Sequence, residues 1–320
     1  MVSIPGFNLI SRHPSWDRYM INRKHRTQLT ILIVFVLLIA TWKTFKEKTS
    51  EYSGSLTRRG VQNVVQNLPA GDYFYISDAL GASETPDTSN VAVIIETDIT
   101  QVPNLVPIIL HFATVLGPAW PIVLMTLEAN WSPPDSPAFK RLMDTNQIRV
   151  KFLPSDTSLS EHHSVSVFLT SPWIWEHLYP FHRVLLFQAD SIICSKSPMK
   201  IENFLEWDFI GAPIAPQFGH GYNGGFSLRN PKMMFNITSD PDVNLGSAEF
   251  EDQWFDANVR ERSGKMPTPE QAMKFAVETM YYETPLGYHQ PQRWQQGNID
   301  KIAEWCPEIG LLQGGAHFFH

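Results

Sequence analysis

Cysteine is scarce: Cys194 and Cys306 are the only two in 320 residues. A disulfide-dense scaffold is excluded, which leaves either one bridge in an oxidising compartment or two buried thiols. Positive charge is not in excess. The formal charge is −7, which argues against nucleic acid as a partner. No internal repeat or low-complexity tract occurs, so a repeat architecture is excluded. The glycines at 219–225 are not followed by Lys-Ser/Thr, which rules out a P-loop. Charged residues make up only 18% of the chain against 43% apolar. That balance excludes global disorder and supplies a core.

What is present is aromatic and asymmetric. Ten Trp, twenty Phe and nine Tyr suit stacking surfaces and deep clefts. Residues 1–28 carry five Arg/Lys and one acid, Asp17; the net +4 leaves −11 for the remainder. At the join, "LTILIVFVLLIATW" (29–42) has no charge, Pro or Gly, and the charge-free window reaches back to Thr27. A cleaved signal peptide fits poorly, because the basic region is long and no small-x-small site follows. A buried core helix would keep a polar face, and this run has little. The segment 27–45 is therefore read as an uncleaved transmembrane signal anchor. It is long enough for an ER-type bilayer of roughly 27 Å, with Lys43 snorkelling at its end. The modest excess of basic residues before the run favours a cytosolic N-terminus, which is type II topology. Asn130 in "NWS" and Asn236 in "NIT" match the N-glycosylation pattern, as a lumenal body in the ER or Golgi would.

Residues 46–88 are polar and mixed, and read as a stem with a short helix near 57–68. Beyond them, "VAVIIET", "WPIVLMT", "IRVKFLP" and "RVLLFQAD" are apolar runs rich in β-branched residues, read as four buried strands. Helical patterns separate them: 102–117 with a stop at Gly117, a short one after the Pro-rich loop at 132–137, and 158–179 interrupted at Pro172. Apolar strands alternating with helices predict an α/β fold with a mostly parallel sheet covered on both faces. In such sheets ligands bind beyond the carboxyl ends of the strands, where Asp190 falls. The second half, dense in Gly, Pro, Trp, Tyr and His, reads as a loop-rich layer closing over the sheet.

Four clusters carry candidate chemistry. In "FQADSIIC", Asp190 with Ser191 beside it offers oxygen ligands to a hard divalent cation; the alternative is a strand-ending turn capped by Asp190. In "GHGYNGGFSLRN", Gly224 and Gly225 let a backbone approach a ligand and Asn223 offers a donor and an acceptor; the alternative is a hairpin with "NG" as its turn. In "FEDQWFDANV", Glu251 and Asp252 fall in the first turn of a predicted helix, where acids suit the dipole, or where one is a catalytic base. In "ETMYYETPLGYHQPQRW", His289 is a second cation ligand or a packed core histidine.

Taken in order, "FQADSIIC", "WDFIGAPI", "GYNGGFSLRN", "EDQWF", "ETMYYETPLGYHQPQRW" and "EWCPEIGLL" resemble a fungal family described as a domain of unknown function, whose members look like GT-A-type glycosyltransferases. The resemblance covers roughly residues 89–312. It implies a GT-A-like, Rossmann-like catalytic domain over 89–312, following a cytosolic tail (1–26), the anchor (27–45) and the stem (46–88), with a C-terminal tail at 313–320. It further implies a hexosyltransferase-like enzyme with a nucleotide-sugar donor, a glycan, protein or lipid acceptor, and Mn²⁺ or Mg²⁺ as cofactor. The family's Asp-x-Asp corresponds here to Asp190-Ser191-Ile192. Its second acid is missing, which leaves Asp190 with His289 for the metal. Tyr222, Asn223, Gly224 and Gly225 match the glycine-rich loop, and with Ser191, Glu96 and Asp98 they form the expected donor and acceptor contacts. The Glu251-Asp252 pair matches the base of inverting members, with Asp252 preferred. The competing expectations are a catalytically silent lectin or scaffold that keeps the fold, and a soluble α/β domain with a buried N-terminal helix.

Overall fold

The computed structural model describes residues 89–243 and 249–312. The predicted tail, anchor, stem helix and C-terminal tail lie outside the described residues. Among the described residues no helix is long and apolar enough to cross a membrane.

The strands are β1 (Asn90–Ile95), β2 (Ile122–Thr126), β3 (Ile148–Phe152), β4 (Arg183–Phe187), β5 (Ser191–Ile193), β6 (Phe209–Pro213), β7 (Tyr222–Arg229), β8 (Ala276–Val277) and β9 (Gly287–His289). The α-helices are α1 (Leu105–Leu116), α2 (Pro137–Asp144), α3 (His162–Leu169), α4 (Pro172–Leu178), α5 (Pro231–Thr238), α6 (Glu251–Glu261), α7 (Pro269–Phe275), α8 (Pro291–Trp294) and α9 (Ile299–Trp305). Local chemistry sets several ends. Ser136 and Asn230 cap α2 and α5 by accepting backbone N–H bonds, and each helix has Pro in its first turn, where no N–H partner is lost. Helix α1 stops at Gly117, whose φ of 71° lies in the left-handed region that glycine enters without strain.

A six-stranded sheet runs in the order β3-β2-β1-β4-β7-β6. The first four are mutually parallel; β7 pairs antiparallel with β4, and β6 with β7. The predicted parallel half is present. The second half of the chain is more than a covering layer, because it adds two strands to the same sheet. "NG" is not a turn: Asn223 and Gly224 lie within β7, and the preceding Gly219–Gly221 segment makes the reversal, with φ of 134° and 83° at its glycines. A smaller sheet, β5-β9-β8, sits beyond the end of β4.

The core explains why β4 is apolar on both faces: all five of its residues are buried. Phe187 stacks on Phe112 of α1 at 4.0 Å, and Phe226 of β7 stacks on Phe275 of α7 at 5.1 Å. Burying each ring contributes about 1.5–3 kcal/mol. Cys194, just after β5, is bonded to Cys306, just after α9, and the bridge closes a separation of 112 residues. It ties the small sheet to the last helical segment.

Candidate active site

Because β1 to β4 are parallel, their carboxyl ends share one edge, and the chain leaves β1 at Glu96 and β4 at Gln188 on that edge. A cavity of about 350 Å³ opens there, lined by Glu96, Asp98, Phe168, Gln188, Asp190 and Gly225 among others. A second, of about 360 Å³, is lined by Asn223, Asp252, Glu278, His289, Gln290 and Trp294 among others. Val165, Gln188 and Gly225 line both, so the two are lobes of one crevice.

Glu96 accepts the Asp98 backbone N–H at 3.2 Å, and burial pushes its carboxyl above the usual range. Asp98 accepts from the Thr100 hydroxyl at 2.6 Å and from its N–H at 3.0 Å; these bonds pull its carboxyl down. That is a helix cap, and it leaves Glu96 as the less committed acid of the first lobe.

Asp190, Gln188 and His289 converge where the lobes meet. His289 Nε2 lies 3.0 Å from Gln188 Oε1 and 3.3 Å from Asp190 Oδ1. The second contact is an ion-pair distance without hydrogen-bond alignment, and Asp190 Oδ1 is buried with no hydrogen bond. At the other end of the ring, Nδ1 lies 3.0 Å from Glu278 Oε1. The parallel pairing of β8 with β9, with Val277 opposite Tyr288, brings Glu278 to His289. Gln290 Nε2 donates to Asp190 Oδ2 at 2.8 Å, and Gln290 N donates to Asp190 O at 3.0 Å. Gln290 holds both bonds from a left-handed backbone, φ 48° and ψ 45°, an uncommon conformation for a non-glycine residue.

Burial by itself lowers a histidine and raises an aspartate. Here the charge of Asp190, 3.3 Å away, together with the hydrogen bond to Glu278, outweighs burial and pushes His289 up to about 10. The His289 charge does the reverse to Asp190 and lowers it. Positive charge is therefore favoured at the point between the two oxygens and Nε2.

A divalent cation held there, as the resemblance implies, would take the place of the proton on Nε2. Two oxygens and one imidazole nitrogen face one another about 3 Å apart, and Asp190 Oδ1 lacks any other donor. The far ring nitrogen meets a carboxylate, the usual outer partner of a metal-bound histidine. Among the described residues no three His, Cys, Asp or Glu side chains group as a metal site; the third donor here is the Gln188 amide oxygen.

The expected Asp-x-Asp placement needs correction. Ile192 is fully buried in β5 and points into the core. Gln188 is the residue that joins Asp190, because the turn after β4, closed by Ser191 N donating to Gln188 O at 3.0 Å, brings both side chains to His289. Ser191 is fully buried too. Its hydroxyl donates to Gly225 O at 2.9 Å and accepts from Gln188 N, so it fixes the turn and does not line the crevice. Tyr222 is likewise a core residue: its hydroxyl donates to Pro267 O, and it lines neither lobe.

Gly224 and Gly225 lie in β7 against the cluster. A Cβ on Gly225 would stand 2.3 Å from His289 Nε2, and one on Gly224 would stand 2.1 Å from Glu251 Oε1. Close packing therefore requires glycine at both positions. Asn223 lines the second lobe and accepts the Gly225 N–H at 2.8 Å through Oδ1.

The two acids at the start of α6 differ. Glu251 is bound at both oxygens by Arg229, at 2.9 Å each, and Arg229 is fully buried among Trp175, Phe209 and Phe255. This is a structural ion pair and not a free base. Asp252 accepts the Gly224 N–H at 3.1 Å and its neighbour Gln253 N–H at 2.7 Å. Burial first, and the Glu251 charge second, push its carboxyl up to about 7.

Of the remaining predicted residues, Asn130 is half-buried and its amide nitrogen donates to Thr97 O at 2.9 Å, whereas Asn236 is exposed on α5. Gln188, Glu278, Gln290 and Arg229 were missed by sequence reasoning. Gln188 joins Asp190 through a turn that leaves no periodic signal, and the others depend on pairings distant in the chain.

The fold is that of an α/β protein with a mostly parallel central sheet, and the crevice lies at the carboxyl edge of that sheet. Residues 147–289, β3 through β9, match the model of the family described as "Protein of unknown function (DUF5672)". No curated protein matches the chain at a significant level. Among solved structures, apo glycosyltransferase GlyE of Streptococcus pneumoniae is similar at 13% identity over 63% of this chain and 54% of its own, with a TM-score of 0.42. The chain thus spans about half the length of GlyE. Core-mannan synthase A of Aspergillus fumigatus, in a Mn/GDP form, is similar at 9% identity over 60% and 70%, with a TM-score of 0.34. Galactosyltransferase LgtC, in complex with donor and acceptor sugar analogues, is similar at 11% identity over 71% and 98%, with a TM-score of 0.38. Likenesses this distant assign no activity, which is decided by the site.

Proposed function

We propose that the chain is an inverting glycosyltransferase that moves a sugar from a nucleotide-sugar donor to an acceptor hydroxyl. The observation that carries this reading is the crevice itself: the Gln188–Asp190–His289 cluster at the junction of two lobes, with a carboxyl raised to about 7 in one of them. The nucleoside occupies the first lobe beside Glu96, and its diphosphate lies at Gln188, Asp190 and His289. Mn²⁺ or Mg²⁺ bound by those three residues would supply Lewis-acid stabilisation of the departing diphosphate. Glu278 fixes the His289 ring, and Gln290 fixes Asp190. In the second lobe Asp252 takes the proton of the attacking hydroxyl. A new bond forms from that oxygen to the anomeric carbon as the bond to the diphosphate breaks, and in-line attack inverts the centre. The ion pair with Arg229 holds Glu251 in place beside Asp252, and the charge of Glu251 helps keep Asp252 basic enough to act near neutral pH.

The same reading places the body in the lumen of the secretory pathway, in the ER or Golgi, behind an anchor at 27–45. The Cys194–Cys306 bridge supports this, since such bonds persist in oxidising compartments.

The test is turnover of a nucleotide-sugar panel by the full chain in detergent with Mn²⁺. Asp252→Asn is expected to abolish turnover while leaving the donor-induced rise in melting temperature. Undiminished turnover in that variant would overturn the role of Asp252 and with it the inverting mechanism.

A further inference from the structure

Two exposed phenylalanines stand at the second lobe. Phe218 and Phe250 are 49% and 42% exposed, and both line it. Each has an aromatic neighbour from another segment. Phe218 lies 4.8 Å from Trp294, centroid to centroid, and Phe250 lies 4.8 Å from His162. Nothing in the packing calls for Phe218 to be in water. It ends a short 3-10 turn whose following residue, Gly219, carries a φ of 134°. Exposed apolar groups collected at one cavity mark a binding surface.

The polar lining includes a set of planar amides beside Asp252, Glu278, His289, Arg293 and the hydroxyls of Ser166 and Thr279. Gln188, Asn223, Gln253 and Gln290 bring planar amides to the lobe. Such a group offers a donor and an acceptor side by side; Gln188 Oε1 faces His289 and both ends of Gln290 are engaged, while Gln253 spans His220 N at 3.3 Å and Phe218 O at 3.4 Å and keeps a second N–H and a second lone pair. Asn223 uses Oδ1 on the Gly225 N–H, which leaves its NH₂ as a donor. Gln290 ties the platform to the reaction centre, because its Oε1 accepts from Trp294 Nε1 at 3.2 Å while its Nε2 donates to Asp190.

Aromatic faces beside paired amides match one acceptor chemistry. A pyranose ring has an apolar C–H face to lie on an aromatic ring and vicinal hydroxyls to bridge an amide. A hydrocarbon chain would instead bury the Asn223 NH₂ without an acceptor, which is costly. An extended peptide is recognised mainly through main-chain bonds along a strand edge, and this lobe is lined chiefly by side chains.

We propose that the acceptor is a saccharide, seated on the Phe218–Trp294 pair and held at its hydroxyls by Asn223 and Gln253, with the attacking hydroxyl toward Asp252. This specifies the acceptor class within the transferase reading and rests on it.

The test is saturation-transfer NMR on the full chain in a detergent that contains no sugar. The probes are the methyl glycosides of glucose, galactose and mannose, the β-linked disaccharides of the same sugars, a Ser/Thr peptide and a polyprenyl alcohol. Saturation of a saccharide's ring protons is expected. It should weaken roughly tenfold in Trp294→Ala and in Phe218→Ala, and return in Trp294→Phe, which keeps a ring there. Thermal unfolding of each variant separates lost stacking from lost fold. Donor hydrolysis is measured on the same wild-type sample. Hydrolysis without binding of any saccharide, or enhancement of turnover by the peptide or the polyprenyl alcohol instead, would overturn the proposal. Saccharide binding without donor binding or hydrolysis would overturn the transferase reading while leaving a sugar-binding lobe.

Discussion

The backbone N–H of Gly224 donates to Asp252 Oδ2 across 3.1 Å, so the central strand β7 positions the carboxyl at the start of α6. This bond stabilises the charged form of Asp252, yet burial and the adjacent Glu251 charge win and raise the group to about 7.

The first prediction concerns pH. A base that titrates near 7 gives a rate rising from pH 6 to 8 with an apparent pKa of about 7. Stability runs the other way. The folded pKa lies above the unfolded value, so the folded state binds more protons between about 4 and 7, and this group's contribution becomes unfavourable as pH rises through that window. Asp252→Asn removes the charge; it is expected to lose about 10²–10⁴-fold in kcat and to gain about 1–3 kcal/mol of stability at pH 8. Urea unfolding at pH 5 and 8 checks the sign.

Breaking the buried Arg229–Glu251 pair should be severe. Arg229→Met leaves Glu251 buried and unpaired, at a cost of about 3–5 kcal/mol. The double variant Arg229→Met/Glu251→Leu should recover most of that, as read by chemical denaturation. In any folded Arg229→Met protein the pH–rate profile should move to higher pH, since the Arg229 charge lowers Asp252.

Gly225→Ala should damage the cluster more than the fold. The added methyl falls 2.3 Å from His289 Nε2 and 2.7 Å from Gln188 Oε1. It should cost about 1–3 kcal/mol and remove the rise in melting temperature on adding Mn²⁺ that is expected of the wild type.

Glu278→Gln tests the outer partner of His289. Loss of the carboxylate should weaken Mn²⁺ affinity by roughly 10–100-fold, measured by calorimetry. Asp190→Ala should abolish the binding altogether.

Removing the bridge should loosen the small sheet. Cys194→Ser, Cys306→Ser and the double variant should each lose about 2–4 kcal/mol, and reduction by dithiothreitol should lower the wild-type Tm to match.

Much of the parallel half was legible. "VAVIIE", "IVLMT" and "RVLLF" are strands because β-branched and aliphatic runs bounded by helical patterns suit a buried parallel sheet. Such runs also place their polar ends, so Asp190 and Glu96 were expected at the crevice on chain position alone. The Asp252 preference came from the resemblance, and a raised carboxyl in the second lobe agrees with that role.

Tertiary structure decided the rest. Whether β6 and β7 would join the sheet depends on pairing Phe187 with Phe226, a contact that leaves no local pattern. Glu251 and Asp252 are adjacent acids in one helical turn, indistinguishable by type or spacing. Arg229, from another strand, takes the first and leaves the second to titrate. Ser191 looked functional because it stands beside Asp190, and Tyr222 because it matches the family's glycine-rich loop, but their hydroxyls answer backbone carbonyls across the core. Glu278 met His289 only when two short strands paired in register. The sequence by itself determined the strands and which acids stand at their ends, because burial patterns are local. Charge state, partner and access were set by three-dimensional neighbours, because Coulomb and desolvation energies depend on distances that the order of residues does not contain.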